Sequence, residues 1–505
     1  MSVGEETGDP ISAHVWRVSA VVIVGSIMSI LDTTIVNVAL ATLSHELHST
    51  IDQIQWVVTG YLLALAAVIP VTGWAARRFG AKQVYLASLV LFTTGSALCG
   101  LATSTTELIV FRVLQGVGGG MILPIGQLMM AEAAGPKRMG RVMSVVAVPA
   151  MLAPILGPTI GGLILDNVSW RWIFYVNVPI GIIAVIAAAR ILPKVARQPT
   201  EALDYRGLAM LGIGLPLITY GLAEVGATGS FTSPKVIGPL LGGLALVAAF
   251  AVYALHVKRP LLNLRLYARP TFSTASIAMF CIGAALFGGM ILLPLYFQSV
   301  RLQDPVMTGL LIAPTGVGIA ITAPLASRLT DRFGSGRTAL AGALINAIGT
   351  VPLVFLGGST PYLWLSAVML VRGIGISLCM IPAMSAIYRA IPPAKVGDGT
   401  TQANVLNRLG GSTGTAVFTI VLTHAIASTG PSGAAYGDAF RWVLGAGLLM
   451  AVPAIFLARA ESRATADAVR TGGTDASGHQ AGSAASGRTE EPAATGTTAE
   501  RSAAS

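Results

Sequence analysis

Charge is scarce in this chain. Only 11% of its 505 residues are Asp, Glu, Lys or Arg, against 54% hydrophobic, where soluble globular domains carry about 25% charged residues. Cysteine numbers three: Cys99, Cys281 and Cys379 lie in or beside apolar runs, without metal spacing. That pattern excludes a disulfide framework and reads as small buried apolar residues. The six histidines (His14, His45, His48, His256, His424 and His479) are scattered near loops and ends. No phosphate-binding Gly-Lys-Ser/Thr run, zinc-spaced His/Cys set or nucleophile elbow is present. The sequence therefore carries no enzyme site, no metal site and no cofactor site. ATP hydrolysis within the chain is excluded on the same ground, which leaves the proton gradient as the energy source.

What fills the chain instead is apolar sequence, with a mean hydropathy of +0.73. A helix needs ~20 mostly apolar residues to cross the ~30 Å hydrocarbon core. Fourteen such stretches can be read, near 17–39, 53–75, 83–103, 107–130, 142–164, 172–191, 207–226, 236–256, 272–298, 306–327, 338–357, 361–386, 401–425 and 438–458. The expectation is an all-α polytopic membrane protein with 14 transmembrane helices. The 58 glycines fit this reading, since in a membrane they let helices approach closely and bend. The first span is too long for a signal-peptide core and no small-residue cleavage site follows it, so it reads as retained.

Lys and Arg collect in cytoplasmic loops of membrane proteins. With the N-terminus inside, 25 of the 32 basic residues fall in inside segments and three (Arg171, Lys235 and Arg301) in outside loops. Four lie within spans: Arg112, Arg372, Arg408 and Arg441. This places both termini in the cytoplasm of a multi-pass protein of the cell membrane. The net charge of +10 follows from that bias and favours contact with anionic lipid, so it calls for no nucleic acid. Residues 1–16 and 461–505 are poor in large apolar residues and read as disordered cytoplasmic ends.

The chain repeats itself. Gly73-Trp-Ala-Ala-Arg77-Arg78-Phe-Gly80 after the second span is echoed by Ser327-Arg-Leu-Thr-Asp331-Arg332-Phe-Gly334 after the tenth. Arg112-Val-Leu-Gln115-Gly116 in the fourth span is echoed by Arg372-Gly373 in the twelfth, and Gly157-Pro158-Thr-Ile-Gly161-Gly162 in the fifth by Gly410-Gly411-Ser-Thr-Gly414 in the thirteenth. The expected organisation is a six-helix bundle over 17–191, two inserted helices with their linkers over 192–271, and a second six-helix bundle over 272–460. Parallel repeats of this kind mark transporters that rock two halves about a central site.

These residues resemble the fourteen-span drug:proton antiporters of the major facilitator superfamily, the EmrB/QacA branch, over roughly residues 16–460. Leu31-Asp32-Thr-Thr-Ile-Val-Asn37-Val-Ala-Leu40 is similar to that family's first-span motif, with Ala41 in place of its closing proline. Gly157-Pro158-Thr-Ile-Gly161-Gly162 resembles its antiporter motif, and Trp170-Arg171-Trp172-Ile-Phe174-Tyr-Val-Asn177-Val-Pro179-Ile-Gly181 its sixth-span signature. Arg77 stands where the family usually has Asp, while the second copy keeps its acid, Asp331.

Asp32 is the sharpest candidate for chemistry, because a carboxylate inside a span is expensive and functional by default. A carboxylate moved out of water also gives up its charge more readily, as a proton carrier must. At ~1.5 Å per residue Asp32 lies ~22 Å in from the cytoplasmic face and Arg112 ~8 Å below the outer one, so the two can pair. The other reading of Asp32 is a static structural acid. Arg112 stays charged and must face a cavity, a carboxylate or carbonyls; the resemblance implies a part in proton coupling for it. Gln115, three residues on, shares its helix face and is a cavity candidate with Asn37, Phe287 and Met290; Tyr296 and Phe297 are further aromatic candidates. Arg372 and Arg408 suit structural bonding as well as transport. Glu132, Glu224 and Arg441 read as interfacial. Gly157, Pro158, Gly161 and Gly162 form either a hinge between the halves or a packing kink. Gly73, Arg77, Arg78, Gly80, Asp331 and Arg332 are candidates for a cytoplasmic gate, or for simple anchors.

The function expected is proton-coupled export of small amphipathic or hydrophobic compounds, often cationic, such as drugs and antibiotics. The partners are those substrates, protons and membrane lipid, and the chain is expected to act as a monomer. The fold alone also permits a metabolite facilitator or symporter. A non-transporting scaffold or sensor is the third class; the polar residues within the spans argue against it.

Overall fold

In a computed structural model the chain is described over residues 12–135, 142, 157, 159–193, 202–392 and 395–463, and these are helical wherever they are regular. Residues Met1–Ala458 group as one compact unit and Arg459–Ser505 as a second; the account below is of the first. Thirteen helices among the described residues are long and apolar enough to cross a membrane. Most of the fifth expected span, 142–164, lies outside the described residues, Pro158 included; Gly157 and 159–167 are helical.

The first six expected spans give α1 (Ala13–Glu46), α2 (Ile51–Val68), which continues through a 3-10 turn into α3 (Thr72–Phe79), α4 (Ala81–Leu101), α5 (Thr105–Ala134), the short α6 (Trp172–Tyr175) and α7 (Asn177–Ile191). Then come the inserted pair, α8 (Tyr205–Thr228) and α9 (Pro234–His256). The last six are α10 (Pro270–Ser299), α11 (Pro305–Phe333), α12 (Ser335–Thr350), α13 (Tyr362–Ala390), α14 (Val396–Thr429) and α15 (Gly433–Leu449). Polar residues start the helices where backbone N–H groups lack partners. Ser104 Oγ accepts from Glu107 N, and Asp304 Oδ1 from Met307 N at 2.7 Å. Asp204 does more: it accepts from Gly207 N at the start of α8 and from Tyr253 Oη near the end of α9, both at 2.9 Å, which ties the inserted pair together.

The sequence repeat has a conformational counterpart. α3 and α11 each end on Phe-Gly, with Gly80 at φ +90° and Gly334 at φ +88°. A side chain resists that left-handed backbone, and in both copies the next helix begins at once, α4 at Ala81 and α12 at Ser335.

Lipid gives no hydrophobic drive for helix association, so close packing through small residues must hold the bundle. α14 meets α10 through Gly410 and Gly414, whose added side chains would strike the Phe280 and Ala284 carbonyls. α5 meets α2 through Gly116 against the Tyr61 carbonyl and α4 through Gly118 against Phe92 N. α8 packs against both α2 and α14, with Trp56 stacked on Tyr220 at 5.6 Å. α9 is the least covered span, only 17% of its apolar window being buried, so its other faces are left for lipid.

Gly414→Val is expected to lower the thermal midpoint of detergent-solubilised protein, because overpacking a tight contact costs about 1–3 kcal/mol. Gly445→Val, where an added side chain meets nothing within 4 Å, serves as the control. Equal midpoints for both variants in a fluorescence-detected melting series would remove the α10–α14 contact from the forces holding the bundle.

Candidate proton and gate site

Asp32 sits just past the middle of α1, and its carboxylate is closed off from solvent. Arg112 of α5 donates from Nη1 to Asp32 Oδ2 at 2.6 Å, and to Gln115 Oε1 at 2.8 Å. Gln115 Nε2 donates to Asp32 Oδ1 at 2.9 Å, and Asn177 Nδ2, from the start of α7, donates to the same oxygen at 3.0 Å. Arg112 Nε reaches the Val57 carbonyl of α2 at 3.1 Å, and its guanidinium lies 4.1 Å from the Tyr61 ring centroid. Ser96 of α4 accepts a further hydrogen bond from Asn177 at 3.1 Å. Five helices thus converge on one carboxylate. Gly95 permits this: a side chain there would stand 2.8 Å from the Gln115 backbone.

The pairing of Asp32 with Arg112 agrees with the depths read from the sequence. The other candidates distribute differently. Gln115 does not face an open cavity; it is fully buried as a bridge between Arg112 and Asp32. Asn37 is exposed and Phe287 half-buried; Met290 lines a cavity with Arg372. Tyr296 and Phe297 are packed core residues instead of cavity walls: both are fully buried, their rings 5.4 Å apart, and Tyr296 Oη donates to the Gly357 carbonyl at 2.6 Å. An aromatic near a helix end finds such neighbours in the adjoining loop, which periodicity does not show. Gly157 lies against Thr34 and Gly161 against the Ile35 carbonyl of α1, while Gly162 faces open space. Arg441 pairs with Asp438 at the exposed start of α15.

At the arginine-rich end, Arg77 Nη1 binds Asp398 Oδ1 at 2.6 Å, joining α3 of the first six spans to the start of α14. Gly73 lets the two helices meet, since a side chain there would stand 3.3 Å from Asp398 and Gly397. Gly80 supplies the turn that ends α3, and Arg332 lies 5.2 Å from the Phe333 ring. Arg78 and Asp331 each have contacts of their own. Two further polar contacts continue inward from the bridge: Thr72 with Thr401 at 3.0 Å, and Asn404 Nδ2 donating to Gln127 Oε1 at 2.8 Å. The partner of Arg77 was missed in the sequence because Asp398 stood in an expected loop. Its signal was a lone acid between two glycines at the basic end. Asn177 was visible only as a motif letter.

Cysteines in place of Thr72 and Thr401 are expected to cross-link on mild oxidation, their hydroxyls being 3.0 Å apart and so within disulfide range. Asp398→Asn should lower the yield, and the double exchange Arg77→Asp with Asp398→Arg should restore it. A yield left unchanged by Asp398→Asn, measured by gel shift, would deny the ion pair any hold on this end.

The sequence profile of the Major Facilitator Superfamily matches residues 22–415. The Multidrug resistance protein B homolog of Mycobacterium tuberculosis (strain ATCC 25618 / H37Rv) is 37% identical over 419 residues, covering 82% of this chain and 78% of that protein. The Putative multidrug resistance protein MdtD of Cronobacter sakazakii is 31% identical over 458 residues, covering 89% and 95%. Among solved structures, the proton:xylose symporter XylE superposes with a TM-score of 0.59 at 17% identity, over 88% of this chain and 95% of that one; this likeness concerns the fold. With thirteen apolar helices, the repeated Phe-Gly turn and the profile match in agreement, the chain is a multi-pass membrane protein that belongs to the Major Facilitator Superfamily.

Proposed function

We propose that this chain is a proton-driven antiporter that exports small amphipathic compounds across the cytoplasmic membrane by alternating access, acting as a single copy. The observation that carries the reading is the sealed Asp32–Arg112 pair. Arg112, Gln115 and Asn177 all donate hydrogen bonds to Asp32. A proton arriving on Asp32 removes the countercharge of Arg112 and leaves a buried cation uncompensated, at a cost of about 3–5 kcal/mol. Arg112 cannot lose its own proton, so the surrounding helices must rearrange. Proton binding is thereby tied to a change of shape, as exchange requires.

The halves that rock are the first six and last six spans, with α8 and α9 between them, and the basic end faces the cytoplasm under the positive-inside rule. Arg77–Asp398, Thr72–Thr401 and Gln127–Asn404 then form the cytoplasmic gate, closed in this conformation. In the cycle, external protons reach Asp32 while the outer side is accessible and substrate leaves. The gate then parts, the proton is lost inward, and substrate enters from the cytoplasm or inner leaflet. Two relatives named for multidrug resistance support amphipathic compounds as the cargo.

The test is efflux of a fluorescent dye from proteoliposomes under an imposed pH gradient, with protein amounts matched. Asp32→Asn keeps the shape of the side chain and should insert normally while losing gradient-driven efflux. Arg112→Lys should also be impaired, since lysine lacks the planar fork that reaches Asp32, Gln115 and Val57 together. Wild-type efflux in Asp32→Asn, with wild-type dependence on the pH gradient, would sink the proposal.

A further inference from the structure

The last six spans hold a second buried arginine. Arg372 on α13 repeats Arg112 on α5, and it is only 3% exposed. Arg112 is neutralised by Asp32. Arg372 has no such partner: no carboxylate and no hydrogen bond meets it among the described residues, and its Nε is buried without an acceptor. Where α10 faces the guanidinium it offers Gly289, at which an added side chain would stand 2.7 Å from Arg372 Nη2. The second copy therefore keeps the cation and leaves out the anion.

The place is not filled by packing. Arg372 and Gly289 line a small cavity with Thr315, Leu286, Met290 and Ile319. Thr315 Oγ1 is also buried without a partner, so a hydroxyl donor and a guanidinium border the same space. The remaining walls are apolar, and Met290 is a flexible side chain able to give way to a larger body. In this conformation the cavity measures about 30 Å³, room for roughly one water, so a ligand needs Met290 and its neighbours to move. A second cation, the half-buried Arg408 of α14, likewise has no hydrogen-bond partner among the described residues and lines a narrower cavity with Ser26, Ser29 and Asn404. With Asp32 already paired to Arg112, these two arginines make the interior net positive.

We infer that the substrate is an amphipathic organic anion, whose carboxylate or sulfonate pairs with Arg372 and Thr315 in the place that Asp32 takes beside Arg112. The inference rests on the antiport reading above and specifies its cargo. It replaces the expectation of cationic compounds, because an interior with two unpaired guanidiniums repels a cation and leaves buried donors unmet by a neutral body. A guanidinium is suited to the part, since its fork matches an anionic head group, and the apolar wall takes the rest of the molecule.

The test uses two dyes that share a skeleton and differ by one sulfonate: 1-anilinonaphthalene-8-sulfonate and uncharged N-phenyl-1-naphthylamine. Each is titrated by fluorescence against the full chain in nanodiscs, with empty nanodiscs subtracted. The sulfonate is expected to bind about tenfold more tightly than its uncharged parent, the gain of one charge-assisted contact. Arg372→Gln should erase that preference while keeping the parent's affinity. Gly289→Asp, which brings a carboxylate of the chain's own to Arg372, should erase it too, and this variant decides the matter if Arg372→Gln does not fold. Equal affinities in the wild type, or a preference that survives Gly289→Asp, overturn the inference; so does a preference lost in Arg408→Gln but kept in Arg372→Gln. Gradient-driven efflux of the uncharged parent reports antiport by itself, so antiport without anion preference counts against this inference alone.

Discussion

A carboxylate and a guanidinium closed off from water inside a membrane constrain everything around them. Neither Asp32 nor Arg112 tolerates the hydrocarbon alone, and their 2.6 Å contact fixes α1 against α5. Further lone pairs and N–H groups of the pair are met by Gln115, Asn177 and the Val57 carbonyl, while Arg112 Nη2 has no partner among the described residues. That is why α2 and α7 are held at the same level, and why glycine stands at position 95, where the α4 backbone nears Gln115. Packing in the first half follows from satisfying one ion pair.

The second half has the same scaffold without the same solution. The turns at Gly80 and Gly334 match within a few degrees of φ, and an arginine recurs in the first half of the corresponding helix. Among the described residues, the buried polar atoms without partners include Thr308 Oγ1, Thr315 Oγ1, both side-chain atoms of Asn346, Arg372 Nε and Ser377 Oγ on α11, α12 and α13, as well as Arg112 Nη2 and Asn177 Oδ1 at the paired site of the first half. Unmet buried polar groups cost about 1–3 kcal/mol each, so a half built this way is poised to take up something polar. One half has its charges paired internally; on the inference drawn above, the other is completed by cargo.

The spans were legible because lipid imposes a length and a composition that few other environments do, and the Asp32–Arg112 pair was legible because depth follows from counting residues. What escaped was whatever depended on helix ends. α1 runs for 34 residues, from Ala13 to Glu46, well past its apolar core, and α14 starts at Val396, so Asp398 belongs to a helix that hydropathy begins later. Tyr296 and Phe297 were legible as aromatic but not as core, since their partners Phe440, Tyr436 and Gly357 come from elements far along the chain. Gln115 was placed on the right helix face; only the three-dimensional arrangement reveals that Asp32 already occupies the space it looks into.

The pairs Arg112–Asp32 and Arg77–Asp398 differ in a way that bears on which yields first. Arg112 and Asp32 are closed to solvent, whereas the side chains of Arg77 and Asp398 retain 25% and 12% of their exposure. Arg77 is partly exposed while Asp398 is buried, so this pair is the better hydrated of the two and the less costly to break. The inner pair cannot part without a proton or a new partner, because each separated charge would remain in low dielectric. On the proposed reading, a weaker latch at the basic end and a proton-sensitive lock in the interior give the chemistry control over the motion. The contacts Arg77–Asp398, Thr72–Thr401 and Gln127–Asn404 then stay parted only when the charge state at Asp32 makes the other arrangement the cheaper one.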